Sequence, residues 1–404
     1  MQKQRTGDAK LIQELNRSII LDAIRKYGPV SRSEVAKIID ISPTTVTSAV
    51  FDLMDEGLVY EDGVGNSNGG RKPVLLRFNP SAYSIIGVSI TNSSIKIADM
   101  NLEGVIARKK VYKANEYQGE EMIQFILDVV GQFLATKPNI ERCQGISVIT
   151  PGIVDAKNGL ISYNSKLKLY NVPLKELLEE KTNLPTYVDN DANAFVLAEN
   201  FFGIFSNYKD LLYITIGDGV GSGVMINGAI YRGFIGSSGE IGHTSVVQGG
   251  MKCECGNTGC LENYVNWPTI YSKIVSAIMT KKRDTVIKDM VTNDLSKITP
   301  SIFVQAITQQ DALAIDIMDE VVDHFAVAIT NTIHMFNPEV VILSGDIIEG
   351  NSLFLQTIHE RVKRKVIPIL KENINIQSTS LGSEFELLGS AAVILHGKFK
   401  FQIS

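Results

Sequence analysis

The chain has 404 residues, of which 44% are hydrophobic and 21% are charged. This composition is typical of a globular protein with two or three domains, and it excludes a disordered or fibrous chain. No apolar run reaches the roughly 18 residues that a membrane helix needs. The N-terminus, MQKQRTGDAK, is charged and lacks the apolar core of an export signal. We therefore expect a cytoplasmic protein that does not associate with a membrane.

The net charge of −5 is not evenly distributed along the chain. Residues 1–80 carry eleven Lys and Arg against ten Asp and Glu, a balance of +1, whereas the remaining residues carry 28 against 34. The acidic excess therefore lies outside the first 80 residues. A balance of +1 is small for a DNA-binding segment, so any affinity for DNA must depend on a few well-placed cations.

The first part of the chain has the pattern of two helices. Apolar residues recur at helical spacing over residues 10–27, and the pair Gly28-Pro29 ends this helix. Ser31 is the expected N-cap of the second helix. Glu34, three residues later, completes a capping box with it.

A third helix and a β-hairpin follow. Ser42 is the expected cap of the third helix, Pro43 takes its first position, and Gly57 ends it. Strand character appears at 58–60 and resumes at 73–78, on either side of a glycine-rich stretch. This order predicts a winged helix-turn-helix, a DNA-binding fold. The alternative is a packing module of three helices that does not bind DNA.

The third helix has short hydroxyl side chains where a recognition helix meets base edges, and it contains no Lys or Arg. Phosphate contacts must therefore come from neighbouring cations, each of which, taken alone, is more often a solvated surface charge. The predicted DNA-binding residues are Arg32, Ser42, Thr44, Thr45, Thr47, Ser48, Arg71 and Lys72.

From residue 83 onwards strand patterns alternate with helical patterns, which indicates two α/β lobes. The predicted strands lie within 83–99 and at 105–112, 145–150, 185–188, 211–216 and 340–344. The predicted helices lie at 119–136, 191–202, 386–397 and over most of 303–337. We expect a winged head with its linker at 1–80, a first lobe at 81–200 and a second lobe at 201–385, with the helix at 386–404 returning to the first lobe. The apolar faces of the helices at 311–336 fit either a dimer surface or a core.

The strongest chemical signal is the segment GSSGEIGHTSVVQGGMKCECGNTGCLE, residues 236–262. It supplies one imidazole and three thiolates, which together form a closed set of four zinc ligands. Because no position is left for water, we expect a structural zinc ion; the alternative is a group of unpaired buried cysteines. The predicted ligands are His243, Cys253, Cys255 and Cys260.

This segment resembles the zinc signature of the ROK family (repressors, open reading frames and sugar kinases), and the resemblance covers nearly the whole chain. It implies a two-lobed α/β body of the actin-like ATPase and sugar-kinase type, which is ribonuclease H-like. The winged head and the following Gly70-Arg71-Lys72-Pro73 are similar to the repressor branch of the family. The layout is most similar to its xylose-responsive and N-acetylglucosamine-responsive repressors.

The resemblance also implies a sugar site. Carboxylates and amides can each bind two sugar hydroxyls, and the expected effector is a monosaccharide of the xylose, glucose or N-acetylglucosamine class. Asp191 matches the catalytic base of the family's kinases; taken alone it also fits a carboxylate at a helix N-cap. Asn164 is a weaker match to a family asparagine. The implied sugar-binding residues are Gly152, Asn190, Asp191, Glu240, His243 and Glu262.

Two turns that bind phosphate in the family's kinases are altered. In the first, at 87–96, Ser89 replaces an acidic residue and Thr91-Asn92 replaces a glycine pair, so the backbone cannot approach a phosphate closely. The second, at 217–223, keeps its glycines, but Asp218 places a carboxylate where phosphates would bind. We therefore expect no enzymatic activity and regard Asp191 as a vestigial base; the alternative is an ATP-dependent sugar kinase.

These features together predict a repressor of a carbohydrate-utilisation operon. Its expected partners are double-stranded operator DNA, a monosaccharide, and further copies of the chain in a homodimer or a dimer of dimers, because such repressors bind palindromic sites. The hypothesis is that sugar closes the cleft between the lobes and relieves operator binding. A protein-binding scaffold with a vestigial pocket is a third alternative.

Overall fold

The computed structural model describes residues 9–66, 72–280 and 283–399. They fall into two compact units. The first contains the residues up to Asp189 together with those from Glu386 onwards, and the second runs from Asn190 to Phe385. The expected lobe boundary at residue 200 lies inside a helix of the second unit. Within the described ranges, no helix combines the length and the apolar character that crossing a membrane requires.

The first unit begins with a head of three helices and a small sheet of order β1-β3-β2. Its elements are α1 (Ala9–Tyr27), β1 (Val30–Ser31), α2 (Arg32–Ile38), α3 (Pro43–Asp55), β2 (Val59–Val64) and β3 (Val74–Phe78). The capping box is present, because the Ser31 hydroxyl accepts from the Glu34 backbone N–H at 3.3 Å and the Glu34 carboxylate accepts from the Ser31 N–H at 2.8 Å. The predicted winged helix-turn-helix is confirmed.

The apolar stripes of the three helices form the core of the head. Ile20 of α1 and Val35 of α2 are fully buried. Val46, Val50 and Leu53 of α3 are also fully buried, and their spacing at i, i+4 and i+7 places them on one face of the helix. The opposite face of α3 is therefore free for contacts outside the head.

The rest of the first unit is an α/β layer. Its five-stranded sheet has the order β11-β7-β4-β5-β6, in which β4 pairs parallel with β7 and antiparallel with β5. Its elements are β4 (Ser84–Ile90), β5 (Ser94–Asn101), β6 (Ile106–Lys113), α4 (Gly119–Ala135), β7 (Cys143–Thr150), α5 (Leu174–Thr182), β11 (Thr186–Asn190) and the C-terminal helix α13 (Phe385–Phe399). A close approach joins α13 to the sheet, since a Cβ at Gly87 would lie 2.2 Å from the Ser390 hydroxyl.

A third, small sheet in this unit is absent from the sequence-based expectation. It is antiparallel, with the order β10-β9-β8. Its strands are β8 (Ile153–Asp155), β9 (Leu160–Asn164) and β10 (Leu169–Val172). Strands of three to five residues are too short to show a clear alternation of polar and apolar side chains, which explains why the pattern did not reveal them.

The second unit contains a sheet of order β14-β13-β12-β15-β16. Its strands are β12 (Leu211–Ile216), β13 (Val220–Ile226), β14 (Ala229–Ile230), β15 (Val340–Ser344) and β16 (Ile376–Ser378). Its helices are α6 (Asp191–Phe202), α7 (Glu262–Val265), α8 (Trp267–Met279), α9 (Val286–Met290), α10 (Pro300–Thr308), α11 (Ala312–Phe336) and α12 (Ser352–Lys365). Strands β12 and β15 are parallel, so their carboxyl ends are neighbours.

The stretch at 303–337 forms two helices. It is interrupted after Thr308, and Asp311 caps α11 by accepting a hydrogen bond from the Ala314 N–H at 2.9 Å. Leu313 and Phe325, on the apolar face of α11, are buried in the core of the second unit. This face therefore belongs to the core and is not available as a dimer surface.

Candidate functional site

One histidine and three cysteines come together in the loop that precedes α7. Their ligand atoms all lie within 4.8 Å of one another. The loop is folded by two short bridges, one pairing Ser245 with Cys260 and the other pairing Lys252 with Thr258. The four side chains are the predicted set, His243, Cys253, Cys255 and Cys260.

Two glycines allow this tight fold. Gly259 has a φ of +77°, and a Cβ there would lie 1.8 Å from the Val247 carbonyl oxygen. Gly256 has a φ of +94°, a left-handed conformation that costs glycine nothing. Its N–H donates to the Cys253 carbonyl at 3.0 Å, which closes a turn between two of the thiols.

The spacing of the ligand atoms fits a tetrahedral zinc ion. Cys253 Sγ is 3.7 Å from His243 Nδ1, and Cys255 Sγ is 3.7 Å from Cys260 Sγ. Sulfur and nitrogen ligands at about 2.3 and 2.1 Å from a tetrahedral centre lie about 3.5 to 3.8 Å apart. Thiolates favour soft or borderline metals over Mg²⁺ and Ca²⁺. The residues therefore fit a zinc ion with four protein ligands.

The thiols of this cluster differ in acidity. Burial raises the pKa of Cys253 and raises that of Cys260 to about 12, with hydrogen bonding to neighbouring thiols adding to the effect at Cys260. The backbone N–H of Asn257 lowers the pKa of the more exposed Cys255. Since a metal ligand must be a thiolate, a cation at the centre is what would hold all three thiols ionised.

Two of the predicted sugar residues begin helix α6. Asn190 is its N-cap, and the Asn190 side-chain oxygen accepts from the Asn193 N–H at 3.1 Å. Asp191 occupies the first helical position, and its carboxylate accepts from the Ala192 N–H at 2.8 Å. The cap is thus Asn190, so the alternative interpretation of Asp191 as the N-cap is wrong.

The start of β13 brings the other predicted groups of the second unit towards α6. A Cβ at Gly223 would lie 2.5 Å from the Ala192 carbonyl oxygen, and one at Gly242 would lie 2.6 Å from the Val220 carbonyl oxygen. The Glu262 carboxylate accepts from the Val220 N–H at 2.9 Å. Strand β13 is therefore packed against the N-terminus of α6, the segment that carries His243, and Glu262.

Glu240 lies in the electrostatic field of two of these groups. Its side chain keeps contact with solvent, but protein atoms surround it closely enough that desolvation raises the pKa of its carboxyl. The positive charge of His243 opposes this shift, and the negative charge of Glu262 adds to it. Two carboxylates and an imidazole thus interact here, a combination of donors and acceptors that suits hydroxyl groups.

Gly152 and Asn164 belong to the first unit. Gly152 has a φ of +101°, and a Cβ there would lie 2.4 Å from the Tyr163 carbonyl oxygen, so only glycine fits. Asn164 is buried; its amide NH₂ donates to the Pro151 carbonyl at 2.9 Å and its oxygen accepts from the Leu167 N–H at 2.9 Å. Asn164 therefore holds the loop that contains Gly152.

In the second glycine-rich turn, at 217–223, two backbone N–H groups already donate to acceptors within the protein. The Gly217 N–H donates to the Gly219 carbonyl at 2.9 Å, and the Val220 N–H donates to Glu262. Asp218 is exposed in this turn, and Asp346 is exposed just beyond β15, the parallel neighbour of β12. Two carboxylates therefore lie just beyond the carboxyl ends of two neighbouring parallel strands.

The first of the two turns is a tight hairpin between β4 and β5. The Thr91 N–H donates to the Ser94 carbonyl at 2.9 Å, and the Thr91 hydroxyl donates to the same oxygen at 3.1 Å. Ser89 is buried in the strand before it. The backbone and side-chain donors of Thr91 are therefore both bonded within the turn.

The predicted DNA-binding residues lie at the start of α3 and around it. Ser42 caps α3 by accepting from the Thr45 N–H at 3.2 Å. Arg32 pairs with Glu61 of the wing at 3.2 Å, and Lys72 is exposed. Arg71 lies outside the described residues. The remaining predicted residues are on α3, where Thr44, Thr47 and Ser48 are exposed and Thr45 is half-buried.

Several other cations of the head are also ion-paired. Arg17 pairs with Glu56, Arg77 pairs with Asp62 at 2.6 Å, and Arg25 pairs with Asp22 at 2.9 Å. These carboxylates compete with DNA phosphates for the same cations. The head therefore offers less positive charge to DNA than its count of basic residues indicates.

Comparison with known proteins identifies the body of the chain. The ROK family model matches residues 85–396, and the model of winged helix-turn-helix DNA-binding domains matches residues 16–60. The chain belongs to the ROK family. The xylose repressor of Caldicellulosiruptor bescii is 31% identical over 399 residues, covering 98% of this chain and 99% of that protein. This ROK chain and that repressor therefore correspond over essentially their full lengths.

Solved structures of ROK proteins confirm the predicted fold class. A ROK family transcriptional regulator, described as a homologue of the Escherichia coli MLC protein, superposes with a TM-score of 0.85 at 23% identity, covering 97% of this chain and 98% of that one. A ROK family glucokinase from Streptomyces griseus, in complex with glucose and AMPPNP, superposes with a TM-score of 0.68 at 25% identity, covering 76% of this chain and 98% of that one.

Two features of this ROK chain escaped the sequence analysis. Phe51 lies on α3 with 74% of its surface exposed, and helical phase was the available signal, because Phe51 is three and seven residues beyond Ser48 and Thr44. The pairing of Arg32 with Glu61 joins α2 to β2 and has no signal in the sequence.

Proposed function

We propose that this ROK protein is a sugar-responsive, DNA-binding transcriptional repressor of a carbohydrate-utilisation operon. The observation that carries the proposal is the combination of a winged head at 16–60 with a ROK body at 85–396 in one chain. Its full-length correspondence with a xylose repressor supports the same function. Operator DNA as the partner also means that the protein acts in the cytoplasm.

The proposed effector is a monosaccharide of the xylose, glucose or N-acetylglucosamine class. Its hydroxyls would be bound by Asn190, Asp191, Glu240, His243 and Glu262. The contacts of α6, the zinc-ligand segment and Glu262 with the start of β13 support this assignment. Carboxylates and amides can each engage two hydroxyls, which gives the orientation that separates one sugar from another.

A structural zinc ion is the proposed cofactor, held by His243, Cys253, Cys255 and Cys260. His243 places Nδ1 towards Cys253, which leaves Nε2 for a hydrogen bond with a sugar hydroxyl. In this arrangement the metal would fix the orientation of the imidazole and hence of one sugar contact. The zinc would supply no Lewis acid chemistry, because its four positions are filled by protein.

A sugar kinase is the second candidate, favoured by the glycines of the turn at 217–223 and by the similarity to a glucokinase structure. Three observations oppose it. The Val220 N–H donates to Glu262, and the carboxylates of Asp218 and Asp346 lie just beyond the carboxyl ends of β12 and β15. Two like charges about 4 Å apart cost about 4 kcal/mol at an effective dielectric of 20. Without a phosphoryl donor, Asp191 would have no reaction to catalyse.

Sugar relieves repression only if it binds the DNA-free form more tightly than the DNA-bound form. A tenfold reduction in operator affinity needs about 1.4 kcal/mol of this difference. We propose that the chain acts as a homodimer or a dimer of dimers, because two heads on a palindromic site double the contacts with DNA.

Calorimetric titration tests the proposal. The full-length protein is titrated with D-xylose, D-glucose, N-acetylglucosamine and a non-hydrolysable ATP analogue, and the titrations are repeated with Asp191→Asn. We expect one sugar to bind, the ATP analogue to give no heat with or without sugar, and Asp191→Asn to weaken sugar binding at least tenfold. The bound sugar should then lower the affinity for DNA from the operon's own promoter.

Two results would contradict the proposal. Binding of the ATP analogue in the presence of sugar would restore the kinase candidate. Binding of none of the sugars, together with unchanged DNA affinity, would indicate a vestigial pocket and a different signal.

A further inference from the structure

The exposed face of α3 carries no charge over its first nine residues. Between Pro43 and Phe51 the helix contains only apolar and hydroxyl side chains. Phe51 is 74% exposed and is the largest side chain on this face. Its ring is therefore the apolar surface that the recognition helix offers to a partner.

Helical geometry places Phe51 at the centre of this face. Residues three, four and seven apart lie on the same side of a helix, so Thr44, Ser48 and Phe51 form one stripe. Val46 and Val50, on the other side, are fully buried in the head. In a winged helix-turn-helix the exposed face of this helix enters the major groove, so the proposed DNA-binding function places the stripe against base edges.

The threonine hydroxyls near this face already have partners in the protein. The Thr47 hydroxyl donates to the Pro43 carbonyl oxygen at 2.8 Å. The hydroxyls of Thr44 and Thr45 lie 2.9 and 2.8 Å from that of Ser42. Because these hydroxyls are engaged at the N-cap and on the helix backbone, the methyl groups are what the threonines have left for apolar contacts outside the head.

The chemistry of the major groove offers one apolar group, the C5 methyl of thymine. Guanine, by contrast, is read mostly by Arg or Lys, and α3 has neither. The nearby Arg17 and Arg32 are paired with Glu56 and Glu61. The uncharged stripe and the paired cations therefore both favour thymine over guanine as the base that this helix reads.

We propose that α3 recognises thymine methyl groups through the ring of Phe51 and the methyl groups of Thr44 and Thr47. The proposal rests on the proposed DNA-binding function and deepens it, since it names the chemical group on DNA that gives specificity. Phe51 is then a specificity-determining residue, and the operator half-sites contain thymines at the positions that face it.

A comparison of thymine with uracil tests the proposal directly, because the two bases differ only in the methyl group and form the same hydrogen bonds. The full-length protein selects duplexes from a random-sequence library, and the selected pool is amplified once with dTTP and once with dUTP. Equilibrium dissociation constants are then measured for both pools at one fixed salt concentration. We expect about a fourfold loss for each buried methyl removed. For the whole site we expect uracil DNA to bind at least tenfold more weakly.

Two variants separate Phe51 from general effects. Phe51→Ala should reduce the preference for thymine over uracil about fourfold, the effect of one buried methyl contact. The head should still be folded, as judged by hydrogen exchange of α3. Phe234→Ala removes a fully exposed phenylalanine from the second unit and should leave the preference unchanged.

The outcomes distinguish this inference from the proposed function. Equal binding of thymine and uracil DNA by the unmodified protein overturns thymine recognition while DNA binding stands. An undiminished preference in Phe51→Ala overturns the role of Phe51. If the protein enriches no duplex even at low salt, the proposed DNA-binding function fails, and the exposed face of α3 must meet another kind of partner.

Discussion

The winged head and the metal loop are both small segments, but different forces hold them. In the head, the buried faces of three helices form an apolar core that includes Ile20, Val35 and Val50. In the loop, residues 243–260, the chain follows short bridges and left-handed glycines and converges on four ligand atoms. An apolar core stabilises the head without any ligand, whereas a thiolate cluster depends on its cation.

The two segments should therefore lose stability in different ways. A small apolar core loses stability when one large side chain is shortened, because the cavity remains partly empty. A metal loop loses its conformation when one ligand is removed, because the free energy of metal binding is also its folding free energy. Changes in one segment should therefore leave the other intact. Two predictions test this independence, and a third measures a smaller contribution within the head.

The largest effect is expected for Cys260→Ser. The change removes one of the four proposed zinc ligands. It also lies two residues from Glu262, whose carboxylate accepts a hydrogen bond from the Val220 N–H. We expect the zinc content to fall from about one ion per chain to near zero and sugar binding to be lost. Metal analysis and calorimetry measure the two losses, and hydrogen exchange in α3 should not change.

Cys143→Ser is the matched control for this prediction. Cys143 is buried in β7 of the first unit and lies outside the cluster. It should keep both zinc and sugar binding. Full sugar affinity in zinc-free Cys260→Ser would contradict the proposed link between metal and effector.

A smaller effect, confined to the head, is expected for Leu53→Ala. Leu53 is fully buried, and truncating a buried leucine costs about 2–5 kcal/mol. Hydrogen exchange across α3 should become faster and DNA binding should weaken, while zinc content and sugar affinity remain as in the unmodified protein. Phe51→Ala, two residues earlier on the exposed face, should leave α3 exchange almost unchanged. Equal acceleration by both changes would mean that the head has no distinct core.

The smallest effect concerns the capping box of α2. Hydrogen bonds from the backbone N–H and then the hydroxyl of Ser31 lower the pKa of Glu34. Because the folded pKa lies below the unfolded one, the stabilisation is present above the ordinary glutamate pKa, about 4.3, and disappears as pH falls through the lower folded value. The carboxylate is largely solvent-exposed, so its contribution is only about 0.5 kcal/mol.

Glu34→Gln tests this pH dependence. Glutamine keeps the geometry of the capping box but cannot ionise. At pH 7 the variant should exchange amide hydrogens in α2 slightly faster than the unmodified protein, and the difference should shrink as the pH falls through the lowered folded pKa of Glu34. A difference that stays constant across this range would mean that ionisation of Glu34 does not contribute.

Local patterns account for the parts of the fold and site that the sequence predicted well. The caps Ser31 and Ser42 act on residues within three positions, and the His and three Cys that cluster lie within 18 positions of one another. Motifs of this length need no knowledge of the rest of the fold. The small sheet β8–β10 was missed because its strands are short and have no distinctive periodicity.

Local patterns in the sequence indicate which chemical groups are present: one His and three Cys at metal-ligand spacing, the helix caps, a recognition helix without Lys or Arg, and the ROK resemblance. Tertiary packing determines which of these groups remain available. It pairs Arg32 with Glu61, turns Glu262 towards the Val220 N–H, and buries the apolar face of α11 in a core. The physical reason is that availability depends on partners far away in the chain, and a local pattern shows that a side chain needs a partner without showing which one it finds.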